Sequence, residues 1–211
     1  MITISRLYDS YDDAARAVSG LERAGLPHSD ISIVANNAEG WYDRGRTTVR
    51  QSGKVDRDLD GVDDRAEGAA AGAGIGATAG GVAGLLAGLG LLAIPGIGPV
   101  VAAGWLASTA VVAAVGGTVG GLIGALTQAG VSEEDAHVYA EGVRRGGTLV
   151  TARVPDADRR RYEAILDRSA VNVQERARMY EEGGWSRFDP DAPPYTPEEV
   201  RRERELYVPG V

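Results

Sequence analysis

"SEEDAHVYAEGVRRGGTLVTARV", residues 132–154, holds a complete helix-to-strand transition. Ser132 stands three residues before Asp135, the spacing of a helix N-cap whose side-chain oxygen takes one of the free N–H groups of the first turn. The helix predicted there runs to about Arg145, and Gly146-Gly147 ends it, because glycine alone enters the left-handed cap without steric cost. "TLVTARV" (148–154) then reads as a strand.

The pattern extends in both directions. Downstream, Asp156 is placed to cap a helix over "ADRRRYEAILDRS" (157–169), and "VNVQE" (171–175) alternates as a last strand. At the start of the chain, Ile2 and Ile4 alternate with Thr3 and Ser5, as in a half-buried strand. Ser10 stands three residues before Asp13, and Ala14, Ala17, Val18 and Leu21 give the following helix its apolar face. Gly25 and Pro27 end that helix, and "DISIVA" (30–35) supplies a second strand. With residues 36–146 set aside, the order is strand-helix-strand twice. That is the order of an α+β, ferredoxin-like sandwich with helices on one sheet face and a long insertion at its midpoint. Two unrelated βαβ units would give the same order.

Five parts follow: a first half-domain (1–35), an acidic linker (36–67), a Gly/Ala-rich segment (68–131), a second half-domain (132–176) and a Pro- and charge-rich tail (177–211). The tail is expected to be extended, except over "TPEEVRRERELY" (196–207). There Thr196, Pro197 and Glu199 form a capping box with a first-turn proline.

No charged residue occurs from Gly68 to Ser132. "IPGIGP" (94–99) breaks that run, and the residues on either side predict a hairpin of two helices, about 68–93 and 100–128. Gly68, Gly72, Gly76, Gly80, Gly84 and Gly88 recur every four residues, so on a helix they fall on one stripe. Gly104, Ser108, Gly116, Gly120 and Gly124 repeat it more loosely, with Val112 as the interruption. Side-chain-free stripes let helix backbones approach closely, the small-xxx-small logic of membrane helices. In water each interior glycine costs about 1 kcal/mol relative to alanine, so packing or lipid has to support such helices. Two media satisfy this: a bilayer, or the shared core of a homo-oligomer.

"DRDLDGVDDRAE" (56–67) matches the twelve-residue Ca²⁺-loop pattern. Asp56, Asp58 and Asp60 would supply side-chain oxygens, Val62 its carbonyl, Asp64 a direct or water-mediated contact and Glu67 a bidentate carboxylate, with Gly61 at the turn. Asp63 departs from the pattern, which has an aliphatic residue there, and the alternative reading is a solvated acidic spacer. "GIGATA" (74–79) resembles a dinucleotide fingerprint but follows no strand, so that chemistry is set aside. His28 and His137 have no partner at readable spacing and are expected at the surface, as is the Arg159–Arg161 run. Trp105 sits inside the predicted hairpin, where an interfacial anchor would stand.

Composition narrows the function. Of 211 residues, 30 are glycine and only 6% are aromatic, so close backbone approach replaces a bulky core; net charge is −8, which opposes nucleic-acid binding. Cysteine is absent, which removes disulfides, thiolate zinc sites and cysteine nucleophiles. "MITISRLYDS" is no secretory signal, so a cytoplasmic start is expected.

Three stretches carry a family resemblance: "LYDSYDDAARAVSGLERAGLPHSDISIVA" (7–35), "LLAIPGIGPVVAAG" (91–104) and "GLIGALTQAGVSEEDAHVYAEGVRRGGTLVTARV" (121–154). In that order they resemble the bacterial general stress proteins of the heat-induced, YflT-like type. The resemblance implies a small non-enzymatic stress protein with no catalytic residues. The acidic loop and Pro-rich tail lie outside it. The expectation is a homo-oligomer joined by its glycine stripes, cytoplasmic or at the cytoplasmic face of the inner membrane, with the homo-oligomer in water and a Ca²⁺-responsive form as alternatives.

Overall fold

A computed structural model describes residues 1–42, 85, 89–107 and 121–207. Its centre is an antiparallel sheet of five strands: β1 (Ile2–Tyr8), β2 (Ile31–Asn36), β3 (Gly90–Ile94), β4 (Gly98–Gly104) and β5 (Thr148–Val154), in the order β1-β5-β2-β4-β3. β5 lies antiparallel between β1 and β2, with Ile4 opposite Ala152 and Ile33 opposite Val150. β1 and β2 are therefore parallel to each other, joined by the helix α1 (Tyr11–Arg23).

Local capping works as the spacing predicts. Ser10 Oγ accepts the Asp13 N–H at 3.1 Å at the start of α1, and Ser132 Oγ accepts that of Asp135 at 3.1 Å at the start of α3 (Glu133–Arg144). The remaining helices are α2 (Gly121–Gln128), α4 (Arg159–Leu166), α5 (Val173–Glu182) and α6 (Pro197–Tyr207). Asp156 lies in a single 3-10 turn, Asp156–Asp158, ahead of α4, and caps no helix.

Helices cover both faces of the sheet, which corrects the one-sided sandwich. On one face Leu7, Val34, Val100 and Leu149 pack with Leu122 and Leu126 of α2 and with Ala136, Tyr139 and Val143 of α3. On the other, Ile4, Tyr8, Ile33, Val150 and Val154 meet Val18 and Leu21 of α1 and Tyr162 and Leu166 of α4. Every residue of β2 is buried, the pattern of a strand covered on both sides.

Three other expectations are corrected. "IPGIGP" turns a β-hairpin, not a helical one: Ile94 pairs with Gly98 and Leu92 with Val100. The strand expected at 171–175 is the start of α5, because Asn172 Oδ1 accepts the N–H groups of both Gln174 and Glu175 at 3.1 Å and caps a helix. Only Val171 N–H, bonded to Leu7 O at 2.8 Å, touches the edge of β1. The tail is packed, since Tyr180, Phe188 and Val200 are all buried. Its predicted capping box forms, with Glu199 N–H on Thr196 Oγ1 and Thr196 N–H on Glu199 Oε2.

Candidate functional site

The acidic loop residues Asp56, Asp58, Asp60, Val62, Asp64 and Glu67 lie outside the described residues, as do Gly68, Gly72, Gly76, Gly80, Gly84, Gly88, Gly116 and Gly120. Among the described residues no group of three or more acidic, histidine or cysteine side chains is arranged to hold a metal. Gly104 and Gly124 do not share a helical stripe. Gly104 ends β4 with φ +87°, and a Cβ there would stand 2.2 Å from the Ile31 carbonyl oxygen, whereas Gly124 lies in α2.

The β3–β4 hairpin fixes where the charge-free runs join the body. Leu85 is buried in the α1 face of the core, while Ala107 and Leu122 are buried in the α3 face. Between these anchors, residues 68–84 supply 17 charge-free positions and residues 108–120 supply 13. A helical hairpin through a bilayer needs about 20 residues for each of two passes. Gly90–Ile94 and Gly98–Gly104 are strands, which corrects those parts of the helices predicted at 68–93 and 100–128, while 68–84 and 108–120 lie outside the described residues. Among the described residues no helix is long and apolar enough to cross a membrane.

Outside the hairpin, the most developed polar cluster joins the tail to the end of α3. Glu141 is fully buried, and its carboxylate accepts from Arg145 Nε at 2.7 Å and pairs with Arg144 at 3.5 Å. Arg145 also pairs with Glu203 of α6 at 2.9 Å and lies 4.3 Å over the Tyr180 ring. Burial works against the Arg145 charge, yet Glu141 and Glu203 hold its pKa above the ordinary arginine value. Arg176 makes a bidentate pair with Asp9 at 2.8 and 3.0 Å and stacks 3.9 Å over Tyr207, and Arg204 pairs with Glu39. Burial raises the Tyr180 phenol pKa well above its usual value. Such an arrangement orders chain: the charges meet fixed partners, and the Arg145 and Arg176 guanidiniums also cover ring faces. Part of it was legible, because Glu141 and Arg145 are four apart on a capped helix. Arg176 and Tyr180, read as strand end and tail, were missed.

His137 is buried, which corrects the surface assignment. Its Nε2 accepts from Arg187 Nε at 3.0 Å, and Arg187 also bonds Glu133 at 3.0 Å. A ring accepting at Nε2 is neutral with its proton on Nδ1. Trp105 is half-buried against the core, with the Arg153 guanidinium 4.9 Å from its ring centre. A polar cleft of about 180 Å³ runs beside β1, lined by Thr3, Arg6, Ser132, Asp135, Arg159 and Glu163 among others. Its cations are paired: Arg6 with Asp167 at 2.6 Å and Arg159 with Glu163 at 2.8 Å.

No protein-family model, curated protein or solved structure matches this chain.

Proposed function

We propose that this chain is a non-enzymatic general stress protein that works as a homo-oligomer, associating through the glycine-striped run at 68–84 and the charge-free run at 108–120. The observation that carries this reading is the attachment of both runs at one end of the β3–β4 hairpin. Gly90 pairs with Ala102, and the chain leaves the sheet just before the first and just after Gly104. The two runs thus flank one hairpin, with Leu85 beside the first packed on the α1 face of the sheet and Ala107 beside the second packed on the α3 face. A track without side chains gains van der Waals contact only when another backbone enters it. A second copy offers that backbone in identical form.

The polar groups of α3, α5 and α6 are engaged with one another, in keeping with a scaffold. Contact with the cytoplasmic face of the inner membrane is taken as peripheral in this proposal, in keeping with the described residues, among which no helix is long and apolar enough to cross a membrane. This proposal reads the β1-α1-β2 unit, split by β5, as the ferredoxin-like part of the sheet, widened at one edge by the hairpin.

Sedimentation velocity of the full chain tests the reading. The wild type sediments as a defined oligomer, and Gly80→Leu, which fills the track, shifts it toward monomer. A monomeric wild type, or an unchanged oligomer in the variant, ends the proposal. Flotation with anionic lipid vesicles separates peripheral contact, which salt removes, from none.

A further inference from the structure

The two edges of the sheet are finished differently. Along β1, the Ser5 carbonyl is covered by the Tyr139 hydroxyl at 2.9 Å and by Arg6 Nη1 at 2.9 Å, and Leu7 O takes Val171 N–H. Charged side chains from α4 and β1 flank the same edge. These are the devices by which proteins block strand addition. β3, at the opposite edge, reads "GLLAI" and carries no charge, no proline and an exposed leucine, Leu91, at 44%.

The hydrogen-bond register shows which groups of β3 are left over among the described residues. Asn37 N–H bonds Pro99 O at 2.9 Å, so the odd-numbered main-chain groups of β4 face β2 and the even-numbered ones face β3. Through the pairs Gly90–Ala102, Leu92–Val100 and Ile94–Gly98, the even positions of β3 are used inward. The N–H and C=O of Leu91 and Ala93 therefore point outward, and no described residue bonds to them. The window is bounded at both ends: the Tyr42 hydroxyl covers Leu89 O at 2.6 Å, and Pro95 follows Ile94.

We infer that the β3 edge is a strand-pairing surface for a second copy of this chain, with β3 antiparallel to its own symmetry mate about a twofold axis through Leu92. In that register Leu91 faces Ala93 of the partner subunit and the reverse, and the four outward groups of each copy satisfy one another in four hydrogen bonds. The two Leu92 side chains meet at the axis, on the sheet face where Leu92 already packs against the α2–α3 core. A window centred on one residue, with two outward positions symmetric about it, is self-complementary as a twofold contact requires. Neutral side chains bring no repulsion across the axis. A five-residue edge falls short of the roughly 1,200 Å² of a stable interface, so the pairing sets the register of the assembly. It thus rests on the self-association proposed above.

The chain's lack of cysteine allows a direct test. In Leu92→Cys the two sulfurs meet across the axis in a non-hydrogen-bonded pair, where Cα atoms are about 4.5 Å apart and a disulfide can close. In Leu91→Cys the equivalent atoms lie two positions out of register, beyond the about 7 Å limit, so oxidative dimerisation is expected to be at least about tenfold slower. The double variant Leu91→Lys/Ala93→Lys changes only exposed side chains; on the Leu92→Cys background it abolishes the cross-link while the circular dichroism is kept. Equal cross-linking at 91 and 92, or none at 92 in a chain that still sediments as an oligomer, overturns the edge pairing alone. A monomeric wild type overturns both this inference and the function it rests on. A cross-link at 92 that persists in Gly80→Leu supports the edge as a contact independent of the glycine track.

Discussion

Glu141 Oε1 accepts from Arg145 Nε at 2.7 Å at the C-terminal end of α3, although the glutamate side chain is only 1% exposed. A carboxylate taken that far from water is tolerable only with partners of opposite charge. Here the guanidinium serves α6 as well, through Glu203, and rests on Tyr180. Glu141→Ala leaves Arg145 with one partly exposed partner, at an expected cost of about 3–5 kcal/mol in urea unfolding. Glu141→Gln keeps the shape and hydrogen-bonding capacity and should cost less. Equal midpoints for Glu141→Ala and wild type would show that the pair contributes nothing.

Gly104 and Gly25 share a left-handed backbone, with φ of +87° and +92°, but differ in surroundings. Around Gly25 a Cβ meets nothing within 4 Å, so Gly25→Ala bears only the conformational penalty, about 1–2 kcal/mol. At Gly104 the same Cβ would press on the Ile31 carbonyl and the Ser32 Cα, both backbone of the neighbouring strand β2. Gly104→Ala should lose at least about 3 kcal/mol, because the β2–β4 pairing has to shift. Parallel urea titrations of the two variants give the comparison, and equal losses would refute the close approach.

Local signals in the sequence carried through, and the ones that failed did so for identifiable reasons. Ser10, Ser132 and Thr196 mark helix starts that form, because a cap depends on residues within one turn. Val100, Val101, Ala102 and Ala103 are all buried, so β4 has no polar alternation and its composition matches a buried helix equally well. Val171 and Val173 alternate like a strand, but Asn172 between them caps α5. In the tail, Tyr180, Phe188 and Val200 are too far apart to give a periodic signal, and the Tyr180 and Tyr207 rings are covered by Arg145 and Arg176, which precede the tail in the chain. The β3 edge was hidden for the same reason as β4: a charge-free stretch beside glycine-rich sequence carries no mark of which backbone groups are left over.

His137 accepts from Arg187 only while neutral, and this gives the chain an acid-sensitive contact. Burial, followed by the Arg187 charge, lowers its pKa below the usual 6.5, against a smaller opposite pull from Glu133, 3.7 Å away. The unfolded chain therefore binds the proton more readily. The His137 contribution is complete well above pH 6.5 and is lost as pH falls through that value toward the folded pKa. Urea midpoints of the wild type should drop between pH 7.5 and 5.5, by no more than about 1.4 kcal/mol per pH unit for one proton. His137→Gln retains an acceptor and cannot titrate, so its curve should be flatter over that interval. Parallel curves for the two proteins would place the titration elsewhere.

Gly146 sets how closely α6 seats on the body. Its φ is +106°, a Cβ there would stand 2.6 Å from Val200 Cγ1, and its carbonyl accepts from Arg204 Nη2 at 3.1 Å. The side chains it would displace belong to α6, so Gly146→Ala should release the tail before it disturbs the sheet. Arg187, held between His137 and Glu133, reports that release as a trypsin site that has to detach before it is cut. When opening is fast relative to cleavage, the cutting rate follows the open population. A penalty of about 1.4 kcal/mol then gives about tenfold faster nicking after Arg187, with the far-ultraviolet circular dichroism of the sheet retained. An unchanged rate would mean that α6 does not depend on this contact. Loss of the whole dichroism signal would mean that the α3–β5 turn itself requires the glycine.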